Sequence, residues 1–165
     1  MARLLACVLA ALLLVVPPAG ADAGGVVTPA PGPNDICPVC GMFVAKFPEW
    51  VATVVYRDGH AHHFDGAKDM FKFLADPGRY APGHRREDIA TVAVTDYYAV
   101  ERIDARQALY VVGSDVLGPM GHELIPLATR ADAEEFMKDH KGKAILTFDQ
   151  VTAEVIRKLD SGGYK

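Results

Sequence analysis

A basic surplus is the first thing this sequence lacks. Its 165 residues carry 17 Lys and Arg against 21 Asp and Glu, a formal charge of −4. Phosphate backbones call for a basic face, so the balance argues against nucleic acid as a partner. It also removes any polybasic signal for an anionic membrane. Cysteine is scarce: three residues are too few for a disulfide-stapled scaffold. Enzyme signatures are missing as well. There is no nucleophile elbow, no HExxH, no phosphate-cradling glycine loop and no carboxylate dyad. Ser114-Asp115 and Thr95-Asp96 come without a nucleophile–base partner. These absences favour a binding protein over an enzyme. The apolar run at residues 4–16 is too short to span a bilayer comfortably.

What is present describes a folded chain: 50% of residues are apolar and 23% charged. The length allows one domain, or two very small ones sharing a core. Residues 1–21 read as a secretory signal peptide, with Arg3 as the positive region, 4–16 as the apolar run and Ala19-Gly20-Ala21 as the cleavage site. Leu4-Leu5-Ala6-Cys7 superficially matches a lipobox, but cleavage there would leave the apolar run on the mature side. The expectation is therefore an exported, unlipidated chain without a membrane-spanning segment. Cys7 leaves with the leader, and Cys37 and Cys40 stay. Residues 22–35 are rich in Gly, Pro and Ala and read as a flexible linker.

From there the pattern predicts an α+β fold of two packed ββαβ units, an internal duplication, with a C-terminal helix. In the first unit (36–98), WVATVVY at 50–56 is β-branched and aromatic, and Arg57-Asp58-Gly59 signals a hairpin. Residues 60–64 return as a strand. Asp65 then caps a helix with Ala67, Met70, Phe71 and Leu74 on one stripe. Asp76-Pro77-Gly78 stops it, and 89–97 is a further strand. The second unit (99–165) repeats the order, with strands at 108–113 and 123–127. A Thr129-capped helix carries Ala133, Phe136, Met137 and His140, and 144–148 closes the unit. Gly59-His60 corresponds to Gly121-His122, and Ala67 to Ala133, so the second unit carries a small insertion. An amphipathic helix starting at Asp149 ends the chain.

The chemistry concentrates in sulfur. Cys37-Pro38-Val39-Cys40 alone suits a redox disulfide, half a zinc site or a metal–thiolate pair. Gly41-Met42 sharpens it, because a glycine turn can bring the Cys40 thiolate and the Met42 thioether to one side. That soft pair selects Cu(I) over Zn²⁺ or Mg²⁺. The competing reading makes Met42 a core plug beside Phe43 and Val44. Met120, in Gly118-Pro119-Met120-Gly121-His122, lies among turn formers rather than on an amphipathic face, which favours a ligand role. Met70 and Met137 fall at helix core positions. His122 is either a ligand beside Met120 or a strand-edge residue bonded to backbone. His60 and His62 share one strand face, with His63 on the other. They can grip Zn²⁺ or Cu²⁺, or simply decorate a hairpin. His84 reads as a surface loop residue, and His140 complements a helix C-terminus.

CPVCGM at 37–42, FDGAKDMFKFL at 64–74, VTDY at 94–97, YVVGSDVLGPMGHELIP at 110–126 and FDQV at 148–151 resemble the NosL family. These are copper-binding accessory proteins of nitrous-oxide reductase maturation. The resemblance covers essentially the whole chain after the leader. It implies a periplasmic Cu(I) carrier on paired ββαβ units. Its copper would come from a donor protein and pass to apo nitrous-oxide reductase or another copper enzyme. It also implies Cys40, Met42 and Met120 as ligands, with Cys37 filling the first motif position. Many relatives are lipoproteins, a feature from which this chain departs. Two other classes stay open on the residues alone. One is a periplasmic thiol–disulfide oxidoreductase using Cys37 and Cys40. The other is a structural zinc module joining those cysteines to His60 and His62.

Overall fold

The structure, a computed structural model, describes residues 23–164; the expected leader and Cys7 lie outside them. The chain enters through a tight turn in which Ile36 bridges Phe43, followed by a 3-10 turn at Val44–Lys46. Strands β1 (Ala52–Tyr56) and β2 (Ala61–Phe64) form the expected hairpin, with Gly59 at φ +88° where a side chain would be strained. Helix α1 (Ala67–Ala75) and the short α2 (Pro77–Tyr80) follow. Strand β3 (Ile89–Thr95) then pairs antiparallel with β1, and β4 (Arg102–Asp104) pairs with β3. The first sheet has the order β2-β1-β3-β4.

The second sheet is built from β5 (Leu109–Val112), β8 (Ile125–Leu127) and β9 (Ala144–Thr147), in the order β8-β5-β9. Between β5 and β8 stands a small hairpin of β6 (Leu117–Gly118) and β7 (Gly121–His122). Gly121-His122 therefore belongs to that hairpin and not to the returning strand. Helix α3 (Arg130–Asp139) follows β8, and α4 (Ala153–Asp160) ends the fold. The architecture is α+β with antiparallel sheets, and both sheets hold their first strand in the centre, the return strand on one side and the closing strand on the other.

Period-two alternation along β5 shows how one strand serves two layers. Tyr110 and Val112 enter a core shared with Val54, Phe73 and Ile156, while Val111 joins Ile125, Leu127 and Phe136 under α3. Phe71 of α1 meets Tyr110 edge to face at 5.1 Å, so the first helix packs directly on the second sheet. The sheets are also joined by backbone: Tyr97 N–H donates to the Pro126 carbonyl at 3.0 Å. The buried Asp96 carboxylate accepts from the N–H of Tyr98, Ala99 and Ala128.

Several expectations are corrected. The linker read at 22–35 is docked where it is described. Ala23 is buried and donates to the Ala128 carbonyl, Gly25 bridges Ile103, and Val26 N–H donates to the Arg102 carbonyl at 2.9 Å. Composition hides this because the attraction is the open edge of β4, whose backbone groups need partners whatever the side chains. The final helix begins at Ala153, not Asp149. A 3-10 turn (Phe148–Gln150) intervenes, and Thr152 caps α4. Thr129 caps α3 as expected, accepting from Asp132 N–H. Asp65 does not cap α1: the N-cap position falls on Gly66, and the first turn is capped from elsewhere.

Candidate metal centre

Cys37 and Cys40 sit at the two ends of a turn closed by Cys37 N–H to the Met42 carbonyl and Gly41 N–H to the Cys37 carbonyl, each at 2.8 Å. Gly41 holds φ +80°, which explains a glycine between Cys40 and Met42. The turn folds its own N–H groups onto the sulfurs. Those of Val39 and Cys40 point at Cys37 Sγ, and that of Met42 at Cys40 Sγ. Such a nest stabilises a thiolate.

Two carboxylates close the other side. Cys37 Sγ donates to Asp69 Oδ2 at 3.5 Å, and Cys40 Sγ to Asp65 Oδ1 at 3.2 Å. One donor atom from each of these four residues lies within 4.8 Å of the others. Both cysteines are free thiols. Burial outweighs the nest, with help from the carboxylates: the Cys37 thiol is pushed up to about 12, and that of Cys40 is raised too. Both thiols therefore carry protons at neutral pH, and an ion taking the sulfurs must displace them. Asp65 Oδ2 is buried with no hydrogen-bond partner among the described residues. The polar lining thus exceeds what the protein itself satisfies, as a cation site requires.

The missing cap of α1 comes from the second half of the chain. Glu123 Oε1 accepts from Lys68 N–H at 2.7 Å and from Leu124 N–H at 2.8 Å. Burial raises the Glu123 carboxyl to about 8, against the opposing pull of these N–H groups and of Lys68. A side chain at Gly66 would overlap its carboxylate. With Glu123 capping the helix, Asp65 is released to face Cys40. Lys68 answers from the helix: its buried Nζ donates to the carbonyls of Met120 at 3.0 Å and His122 at 2.7 Å. That bond pins the tip of the β6–β7 hairpin over the first turn of α1. Met120 stands there with 44% of its surface exposed.

The structure brings Cys37 and Cys40 to the N-terminal turn of α1 through Asp69 and Asp65, and the Met120 backbone to the same turn through Lys68, while Met42 lies in the cysteine turn itself. His122, whose carbonyl meets Lys68, also borders a cleft with Ser114, Asp115, Lys143 and Tyr164. Cys37 and Cys40 share no ligand group with His60 and His62, which cluster instead with His84, so the Cys–His zinc module is not assembled. Sequence reasoning missed Asp65, Lys68, Asp69 and Glu123 as site residues. A signal existed for most of them: positions 65, 68, 69 and 72 form a charged stripe beside the apolar one. Such stripes ordinarily face water; here three of the four are buried.

A family model described as NosL matches residues 30–156. The chain belongs to the NosL family. The copper-binding lipoprotein NosL of Stutzerimonas stutzeri is 26% identical over 129 residues, which are 78% of this chain and 67% of that protein. The crystal structure of the copper chaperone NosL from Shewanella denitrificans superposes with a TM-score of 0.64 at 28% identity, covering 78% of this chain and 97% of the other. A solution structure of apo-NosL from Achromobacter cycloclastes aligns at 22% identity and a TM-score of 0.45 over 64% of this chain and 87% of that one. The fold of this NosL family member is thus that of a solved relative. Among the described residues, no helix is long and apolar enough to cross a membrane.

Proposed function

We propose that this protein is an exported, periplasmic carrier of Cu(I) that takes the ion from a donor protein and delivers it to apo nitrous-oxide reductase or another copper enzyme. The observation that carries the reading is the turn holding buried Cys37 and half-buried Cys40, with Met42 in the same loop and the Met120 backbone pinned over the adjoining helix turn. Thiolate and thioether are soft donors and prefer Cu(I) to Zn²⁺. Relatives bearing the names copper-binding lipoprotein and copper chaperone support copper as the metal.

The division of labour follows from the donors. Cys40 and Met42 hold the cargo from the half-buried turn, and the exposed Met120 offers a thioether that a client's ligand can replace first. Asp65 and Asp69 already accept the thiol hydrogens, so protons displaced by the ion have an acceptor in contact. Their negative charge also attracts a cation into a partly buried site. His122 is the weakest member of the set, since it also borders a separate cleft. A thiol–disulfide oxidoreductase fits less well. Reactive redox cysteines have lowered pKa values at helix N-termini, whereas both thiols here are raised and a 3-10 turn follows the motif.

Anaerobic titration with Cu(I) and Zn²⁺ under competition, followed by sulfur-edge X-ray absorption, tests the proposal. The expected result is about one Cu(I) per chain, held by sulfur and far more tightly than Zn²⁺. Equal or greater zinc affinity sinks it.

A further inference from the structure

The second cluster stands at the opposite end of β2. His60 precedes the strand, His62 lies within it on the same face, and His84 arrives from the loop after α2. The His84 ring stacks on Tyr56 with centroids 4.3 Å apart and on His60 at 4.6 Å; His60 meets His62 edge-on at 4.7 Å. One ring nitrogen from each histidine lies within 4.8 Å of the other two. Three imidazoles have converged from two separated segments, which a decorated hairpin does not need.

Hydrogen bonding singles out the same place. Five buried side-chain polar atoms have no hydrogen-bond partner among the described residues. Two belong to the sulfur cluster, Asp65 Oδ2 and Asp69 Oδ1, the latter having only an ion pair with Lys72 at 3.2 Å. Two others belong to the ring cluster, His62 Nε2 and the Tyr56 hydroxyl. Leaving such a group unpaired costs on the order of 1–3 kcal/mol, so each asks for an occupant. Burial, with the neighbouring histidines, lowers His62 to about 4. That ring is neutral at physiological pH and keeps a lone pair to donate. Asp58 Oδ2 lies 3.4 Å from His84 Nε2. A carboxylate on one ring nitrogen orients the ring and frees the other nitrogen as ligand, the usual outer partner of a metal-bound histidine.

We propose that His60, His62 and His84 form a second metal site, an imidazole-only pocket for a divalent ion of the zinc or copper(II) class, independent of the sulfur centre. Neutral imidazoles are borderline donors and suit Cu²⁺ and Zn²⁺ better than they suit Cu(I). Ligands around a four-coordinate ion with bonds of about 2.0–2.1 Å lie roughly 3.3 Å apart. The rings must therefore close from their present spacing, and the exposed His60 and half-exposed His84 have room to rotate. Tyr56 and Phe73 wall the pocket, Phe73 at 5.1 Å from His62.

The test uses the exported chain carrying Cys37→Ser and Cys40→Ser, so that failure of the copper-carrier reading does not affect it. Zn²⁺ is titrated by calorimetry, and Cu²⁺ is followed by electron paramagnetic resonance. The expected result is one ion per chain with Kd tighter than about 10 μM, Cu²⁺ above Zn²⁺ in affinity, and hyperfine coupling to imidazole nitrogen. His84→Gln in the same background should weaken binding at least tenfold. Weaker or non-saturating binding, or affinity unmoved by His84→Gln, overturns the proposal. If the double serine chain misfolds, ring-nitrogen NMR of the wild-type chain decides. Zn²⁺ at more than two equivalents, enough to fill the sulfur centre as well, must shift the resonances of His62 and His84, and unshifted rings overturn the site.

Discussion

One short strand separates two clusters of opposite chemistry. At one end of β2, Asp65 joins Asp69, Cys37 and Cys40; at the other, His62 meets His60 and His84. Five residues of strand put His60 and Asp65 about 17 Å apart. The sulfur cluster is buried except at half-buried Cys40, acidic and protonated on its thiols, so a cation must displace protons to enter. The imidazole cluster is half-exposed, and His62 is held neutral by burial. The difference teaches that the donor atoms and their desolvation, and not the strand that carries them, set the two ends apart.

The largest expected effect separates the clusters outright. Cys40→Ser should lower Cu(I) affinity at least about 100-fold, or roughly 2.7 kcal/mol, while Cys37→Ser weakens it less. Divalent binding by the histidines should stay unchanged in both. Competition titrations on the two variants check this, and equal Cu(I) losses would make the centre a dithiolate.

Met120→Leu sharpens the same boundary from the hairpin side. It keeps volume and apolarity while removing sulfur, so it should cost less than about 1.5 kcal/mol of stability. Cu(I) binding should weaken by tenfold or more, at least about 1.4 kcal/mol. Melting curves and competition on one variant measure both. Unaltered affinity would confine the centre to residues 37–42.

Glu123→Gln probes the support beneath the sulfur end alone. The folded carboxyl is raised to about 8 from its ordinary 4.5, so its protonated form is favoured by folding. That contribution is complete below about pH 4.5 and is lost as pH rises towards 8. Wild-type stability should fall by more than about 1 kcal/mol between pH 5 and 8 from this group, and the Gln variant should lose that slope. Denaturant unfolding at the two pH values reads it; matching slopes would mean that another group governs the profile.

The smallest effect belongs to the ring cluster. His62→Phe removes the unpartnered Nε2 and keeps contact with Phe73, so stability should change by no more than about 1 kcal/mol, in the stabilising direction. Cu(I) affinity should be unmoved. A large stability loss would reveal a hydrogen bond to that nitrogen in solution.

Much of the fold was legible because it rests on local rules. The stripe of Met70, Phe71 and Leu74, the Thr129 cap and the Gly59 turn each follow from spacing or backbone sterics within a few residues. What escaped was non-local. Strand β4 has only three residues, of which Ile103 alone is apolar, too few to show a period. The 23–28 segment docks through backbone. Asp65 had the composition of a cap but lost the role to Glu123, 55 positions from the Lys68 N–H it accepts. His84 looked like a loop residue until the return of the chain stacked it on Tyr56.

By itself the sequence determined which donors exist and how each is locally presented. Cys40-Gly41-Met42 is a turn because only glycine tolerates φ +80° without strain, and its sulfurs are soft whatever surrounds them. Tertiary structure alone decided which donors meet and how dry they are. It brought Asp65 and Asp69 against the thiols, pinned Met120 through Lys68, and gathered three histidines from two segments. Those meetings depend on packing between distant segments, where burial raises a thiol and lowers an imidazole. A residue's type carries its chemistry, but its desolvation and its partners come only from the folded chain.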